Sequence, residues 1–326
     1  MKIVALVHFA VPFRMAGSET MLHTLLEALA ERGHDVVVVT THTPQAPQHW
    51  RWGRIRGLSR QGPTAAALTV RGERPDVVVT HHDNAALAID LAPSIGAKSV
   101  FLMHNDFDIN LQLLSKRPDL TVFNTQWIAD RYADRVPSWV VVHPPVRPAD
   151  HATAPGTLVT LVNLNEHKGA SVLYELARRM PKTRFLGVTG GHGEQIKMKR
   201  PNVEIIRQTT DMRRHVWSRT RVLLMPSLYE SYGMVGVEAL ASGIPVIANP
   251  TPGLRESLGH AGVFVDRADV DGWERKLRQL LEDPVAWTAA SERARSRSAE
   301  LHPAPELQAW VRAVEEVAAH GSPRHR

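Results

Sequence analysis

The chain has 326 residues, 43% apolar and 22% charged, an ordinary globular composition. It contains no cysteine, which excludes disulfides, cysteine-ligated zinc, iron–sulfur clusters and thiol nucleophiles. A formal charge of +6 favours anionic ligands. The length exceeds what one hydrophobic core usually serves, so two domains are expected.

The opening Met1-Lys2-Ile3-Val4-Ala5-Leu6-Val7 reads as a buried first strand. His8 and Pro12 interrupt the run, and no small-residue cleavage site follows closely, so a signal peptide is not expected and the protein is placed in the cytoplasm. No apolar run is long enough to span a bilayer. Strands are predicted at Ile3–Val7, Val36–Thr40, Asp76–Thr80, Ser99–Met103, Leu120–Asn124 and Trp139–His143. Between the first two, Met21, Leu22, Leu25, Leu26 and Leu29 recur at helical spacing, and Gly33 stands where a C-cap belongs. Gly17, between first strand and first helix, would let the backbone approach a phosphate or sugar closely.

No acidic residue occurs between Asp35 and Glu73, a gap holding Arg51, Arg54, Arg56, Arg60 and Arg71 beside Trp50 and Trp52. The stretch 50–74 reads as a solvated face or acceptor-site loop, with contact to an anionic membrane surface as the alternative. Nucleic-acid binding is not expected, since aromatic residues are few and no recognised motif occurs. His81-His82-Asp83 suggests a metal site only superficially, because adjacent strand residues point to opposite faces. No metal is therefore assigned.

From His143 to Gly156 the chain carries Pro144, Pro145, Pro148 and Pro155 without periodicity, a linker composition. The pattern then restarts, with strands predicted at Leu158–Val162, Arg184–Val188, Val203–Ile206, Arg221–Met225, Pro245–Ala248 and Gly262–Val265. Continuous apolar strands alternating with helices predict an α/β architecture of two doubly wound Rossmann-like domains facing across a cleft, where ligands would bind beyond the carboxyl ends of the strands. The boundaries are 1–145 for an N-terminal Rossmann-like domain, 146–302 for a C-terminal one, and 303–326 for a C-terminal helix packing back toward the first domain. Leu307, Trp310, Val311, Val314 and Val317 mark one face of that helix.

The segment 226–248, PSLYESYGMVGVEALASGIPVIA, is the most informative. Glu230 and Glu238 lie eight positions apart around Tyr232-Gly233-Met234. A helix beginning at Gly233 offers unpaired N–H groups to phosphate oxygens, and two ionised carboxylates can accept from sugar hydroxyls. A nucleotide-sugar ligand follows. Lys168, after the first strand of the second domain, is placed to neutralise the charge of a departing diphosphate.

The two-domain pattern resembles the GT-B glycosyltransferases, and Glu230 to Glu238 is similar to the E-x7-E signature of the retaining enzymes of glycosyltransferase family 4. The resemblance covers nearly the whole chain and is most distinctive in the second domain. It implies that Glu230 reaches the donor sugar, that Glu238 binds the ribose, and that the amides of Tyr232, Gly233, Met234 and Val235 hold sugar and phosphate. It also implies that His104, ending the strand at Met103, contacts the donor sugar and the reaction centre. Gly17 stands in the family's glycine-rich loop, although only one glycine is present there. Gln208 and Thr209 lie near where relatives hold the base through main-chain groups. The family usually has an arginine five residues before the lysine; here that position is Asn163, which cannot form a bidentate cationic clamp.

The implied reaction is metal-independent, retaining transfer from a UDP- or GDP-linked sugar to an unidentified acceptor hydroxyl, without a cofactor. The alternatives are a sugar-nucleotide 2-epimerase of the same architecture and a non-catalytic nucleotide-sugar-binding relative. Asp106-Phe107-Asp108 and Asp269-Val270-Asp271 spell D-x-D by chance. Gly190-Gly191-His192-Gly193 lacks dinucleotide-binding spacing and resembles a turn of the same family.

Overall fold

The computed structural model describes residues 1–43, 45–191 and 193–319, so Pro44, His192 and residues 320–326 lie outside it. The chain divides into two units, Met1–Pro145 joined by the helix Ala304–Ala319, and Val146–Pro303.

The first unit has strands β1 (Lys2–Val7), β2 (Asp35–Thr40), β3 (His49–Trp52), β4 (Ile55–Ser59), β5 (Val77–Thr80), β6 (Lys98–Met103), β7 (Leu120–Phe123) and β8 (Trp139–Val141). They form one sheet in the order β3-β4-β2-β1-β5-β6-β7-β8. It is parallel throughout except where β3 pairs antiparallel with β4. Alternation along each strand sends Ile3, Ala5, Val36 and Val38 to one face, against Met21, Leu22, Leu25, Leu26 and Leu29 of the helix Gly17–Glu31. Val4, Leu6, Val37 and Val39 face the other side, against Ala66, Val70 and Ala88. A sheet covered on both faces explains why these strands read as unbroken apolar runs.

The helix Ala304–Ala319 belongs to this unit through its apolar stripe. Trp310 and Val314 are fully buried in the same core, and the Trp310 indole N–H donates to the carbonyl of Leu25 at 2.8 Å. Glu306 accepts from the backbone N–H of His143 at 3.1 Å, and Glu315 pairs with Arg32 at 3.2 Å.

The stretch 50–74 differs from a solvated loop. It contributes the β3–β4 hairpin at the sheet edge and the helix Pro63–Glu73. Arg56 forks onto Glu73 with two bonds of 2.9 Å, and Arg60 donates to Thr69 at 3.0 Å. The Trp50 indole donates to Ser59 at 3.1 Å and meets the Phe13 ring edge-on at 5.2 Å. Trp52, at the hairpin tip, is 45% exposed. No helix among the described residues is long and apolar enough to cross a membrane.

The second unit carries β9 (Leu158–Val162), β10 (Phe185–Val188), β11 (Val203–Ile206), β12 (Thr220–Met225), β13 (Val246–Ala248) and β14 (Gly262–Phe264), all parallel, in the order β11-β10-β9-β12-β13-β14. Its first residues are not a free linker. Val146 packs on Tyr232 and Val237. Pro148 opens a short helix, Pro148–His151, a position where its missing N–H costs nothing. Ser242 then pins the segment, donating to the carbonyl of His151 at 2.9 Å and accepting from Thr153 N–H at 3.1 Å.

Candidate active site

In the second sheet the chain leaves β9 toward β10 and returns on the other side at β12. The gap between the carboxyl ends of β9 and β12 is thus a topological switch point, the usual ligand position in such sheets. Lys168 arrives from the loop after β9 and Glu230 from the loop after β12. Lys168 Nζ meets Glu230 Oε1 at 2.5 Å, with the two side chains 30% and 12% exposed. Ser227, at 2.9 Å, donates to the same carboxylate oxygen.

The Lys168 loop is built to be rigid. Asn165 caps it by accepting from Lys168 N–H at 2.8 Å. Gly169 closes it with φ of 95° and packs against Pro226, leaving no room for a Cβ. Arg267, which the sequence reading passed over, ties the two loops together. Its guanidinium donates to the Glu166 carbonyl at 2.7 Å, to Glu166 Oε1 at 2.6 Å and to the Pro226 carbonyl. These acceptors occupy the guanidinium, so Arg267 positions the Lys168 loop and is no substitute for the missing arginine clamp. Its sequence signal was a basic residue just past the strand predicted to end at Val265.

Gly233 begins the helix Met234–Ala241 with φ of 89°, a left-handed conformation that favours glycine. A Cβ there would lie 2.6 Å from Leu254 Cδ2. The side chain of Tyr232 is buried with Val146 and Val237, so Tyr232 can serve the site only through its backbone. Met234 and Val235 are half-buried in the first turn, whose amides supply the partial positive charge of a helix N-terminus.

Glu238 departs from the expectation of an ionised acceptor. Burial pushes its carboxyl up to about 8, which favours the neutral acid over the carboxylate. Its Oε2 is buried without a hydrogen-bond partner, as is His151 Nδ1, 3.6 Å away. Burial also lowers the His151 pKa. Both groups are thus held toward their neutral forms.

Asn163 has φ of 72°, a left-handed conformation that asparagine tolerates better than most residues. Its Oδ1 accepts from Gln195 at 2.9 Å, and its amide lies so close to Gly190 that no side chain fits there. Gln195 also accepts from the N–H groups of Leu164 at 3.0 Å and Gly190 at 2.7 Å, binding the β9 and β10 loops into one unit. Gln208 is exposed just past β11, its N–H bonded to Thr189 Oγ1 at 3.1 Å. Thr209 lies 3.1 Å from His215 Nδ1.

In the first unit, Gly17 opens the helix Gly17–Glu31. His104 follows β6 directly, is 7% exposed, and its Nε2 lies 2.9 Å from His81 Nδ1. Burial holds both imidazoles well below their usual pKa. The opposite-faces expectation for His81 and His82 fails. β5 ends at Thr80, and His82 takes φ of 52°, folding its ring back to a centroid distance of 4.6 Å from His81. Asp269 of the second D-x-D triplet caps the helix Val270–Glu282, accepting from Gly272 N–H at 2.8 Å.

Two Rossmann-like units with a cation, a carboxylate and a helix N-terminus gathered at the second sheet's switch point define the GT-B class of fold. Comparison with known proteins places the chain further. The family described as Glycosyltransferase Family 4 matches residues 15–150, and that described as Glycosyl transferases group 1 matches residues 155–283. The chain belongs to the family 4 type of GT-B glycosyltransferases. A glycogen synthase of Mycobacterium tuberculosis is 26% identical over 273 residues, 81% of this chain and 59% of that protein. The lipopolysaccharide core biosynthesis glycosyltransferase LpsE of Rhizobium meliloti is 25% identical over 308 residues, 85% of this chain and 89% of its own length. Among solved structures, Anabaena HepE in complex with UDP-glucose superposes with a TM-score of 0.78 at 15% identity, covering 97% of this chain and all of the other. The chain spans less than two thirds of the length of several curated relatives it matches, 59% for the glycogen synthase.

Proposed function

We propose that this chain transfers a sugar from a nucleoside-diphosphate sugar to an acceptor hydroxyl, with retention of anomeric configuration and without a metal ion. The observation that carries the reading is the Lys168–Glu230 contact of 2.5 Å at the switch point between β9 and β12. Breaking a glycosyl–phosphate bond leaves positive charge on the anomeric carbon and negative charge on the departing diphosphate. Catalysis requires that this separated charge be stabilised more than the intact donor.

Lys168 and Glu230 neutralise each other across their contact. A donor entering between them gives the ammonium a diphosphate oxygen and the carboxylate a sugar hydroxyl. The pair is held in place in advance by Ser227, Asn165 and Arg267, so little reorganisation is needed during the reaction. The first-turn amides from Gly233 to Val235 add to the phosphate grip, and Glu238 takes the ribose. By resemblance, Gly17 and His104 are the first unit's contributions toward phosphate and sugar, and the chain near Gln208 and Thr209 receives the base. The UDP-glucose bound by the HepE relative supports a UDP-linked donor.

A thermal-shift screen of the full chain against nucleoside diphosphates and their sugars tests the donor class, since a ligand for the folded state raises the melting point. Stabilisation by one diphosphate and its sugar is expected; no shift with any of them removes the reading. One observation favours a binding-only relative. Asn163 is uncharged and already engaged by Gln195, so the family's second phosphate cation is missing. Transfer or hydrolysis of the donor separates the two readings, and a product epimerised at the sugar marks the epimerase.

A further inference from the structure

The carboxyl edge of the first sheet holds a group of histidines that the donor site, apart from His104, does not use. His8, His81 and His104 each come directly after the last residue of β1, β5 and β6, three neighbouring parallel strands. His82 joins them through its left-handed backbone. Centroid separations are 4.6 Å for His81–His82, and 5.0 Å for both His81–His104 and His82–His104. One ring nitrogen from each of these three lies within 4.8 Å of the others, the one such group among the described residues. The His8 ring borders the group, 5.7 Å from His81 and 5.6 Å from His82.

The cluster is polar and largely buried. His81 is fully buried, His104 is 7% exposed and His8 8%. Nε2 of His81 and Nδ1 of His8 are buried without a hydrogen-bond partner. A buried unsatisfied nitrogen is costly, and a bound ion is one way to satisfy it.

We propose that His81, His82 and His104 bind a divalent transition-metal ion of the zinc type, with His8 at the margin of the site. Imidazole nitrogens suit zinc, copper, nickel and iron, whereas magnesium and calcium require oxygen ligands. Zinc–nitrogen bonds of about 2.0–2.1 Å in a tetrahedral site place ligand nitrogens roughly 3.4 Å apart. His81 Nδ1 and His104 Nε2 are closer than that, at 2.9 Å, and all three ligand nitrogens lie within 4.8 Å of one another, so modest ring rotations are required to reach the spacing. Three protein ligands leave a fourth position for an oxygen donor. The site lies at the switch point of its own sheet, where the chain departs β1 toward β2 on one side and β5 on the other. The transfer reaction proposed above does not require this ion, and because His104 is shared between the two readings, an ion held here would compete with the sugar contact given to His104.

The test is calorimetric titration of the chelator-treated full chain with Zn2+, and visible absorption on adding Co2+. One ion per chain and a tetrahedral nitrogen-ligand cobalt spectrum are expected. His81→Gln and His82→Gln should each weaken zinc by at least about tenfold, while His260→Gln, at an exposed position elsewhere, should not. Circular dichroism and melting verify the fold of each variant. If His81→Gln fails to fold, the half-buried His82→Gln decides alone. Absence of a stoichiometric zinc site, or binding unchanged in a folded His82→Gln variant, overturns the proposal. Zinc inhibition of transfer would depend on the donor reading as well, so the binding measurement carries the test.

Discussion

Lys168 Nζ and Glu230 Oε1 lie 2.5 Å apart, although 62 residues separate them in sequence. They meet because β9 and β12 are neighbours in the sheet and their following loops converge at the switch point. Removing either partner therefore does two things: it deletes a donor contact and leaves the other charge uncompensated.

Lys168→Ala and Glu230→Ala should each reduce transfer at least about a hundredfold, the scale of losing one preorganised group that stabilises transition-state charge. Both variants should remain folded, because both side chains end at the surface of the sheet's carboxyl edge, Lys168 30% and Glu230 12% exposed. Steady-state rates with matched melting curves check this. Near-normal turnover in either variant takes that residue out of the site.

Glu238 makes stability depend on pH. Its folded-state carboxyl titrates at about 8, against about 4.3 when unfolded. Between these values the unfolded chain loses the proton and the native chain keeps it, so stability falls as pH rises through this window and levels off above it. Glu238→Gln removes the term. The variant should gain on the parent steadily from about pH 5 to pH 8, reaching a few kcal/mol at most. Urea denaturation at several pH values measures the gap, and a gap that does not change with pH contradicts a raised Glu238.

Gly233→Ala meets two obstacles, a φ of 89° and a Cβ 2.6 Å from Leu254 Cδ2. A destabilisation of about 1–3 kcal/mol is expected, together with weaker nucleotide binding as the first turn of the helix shifts. Denaturation and calorimetry on the same preparation test both. An unaffected nucleotide affinity would show that these amides do not hold the ligand.

Arg267 touches only carbonyls and Glu166, so it acts through the Lys168 loop. Arg267→Ala should lower transfer by roughly 10- to 100-fold, as for other residues that orient a site from behind. Arg267→Lys should rescue it poorly, because an ammonium cannot reproduce the fork. Full rescue by lysine would reduce the role of Arg267 to charge alone.

Most of the framework was legible in the sequence, and the losses have physical causes. Leu158–Val162 and Val203–Ile206 appear as strands with the expected ends, because fully covered parallel strands are written as short apolar runs between turn residues. The β3–β4 hairpin was hidden by its edge position: His49, Arg51, Trp52 and Arg56 are polar or exposed, and the side-chain partners of Arg56 and Arg60, Glu73 and Thr69, lie on the following helix. The linker composition around Pro148 concealed a docked segment, since proline at the first helical position resembles a breaker in one dimension. For the site, Lys168, Glu230 and the Gly233 turn could be read from local spacing. Arg267 could not, because its carbonyl partners are about forty and a hundred residues away. The histidine cluster escaped because the alternation rule was applied to His82, one residue beyond where the strand geometry had already ended. The protonation of Glu238 depends on burial, which no spacing reveals.

The central claim is that a nucleoside diphosphate binds beside Lys168 at the switch point of the second sheet. Calorimetric titration of the full chain and of folded Lys168→Ala with UDP and with GDP tests it most directly. The account predicts one site per chain for one of the two, weakened at least about tenfold by the substitution, in keeping with loss of a charge-assisted phosphate contact. Failure of both nucleotides to bind, or an affinity that Lys168→Ala leaves unchanged, would contradict it.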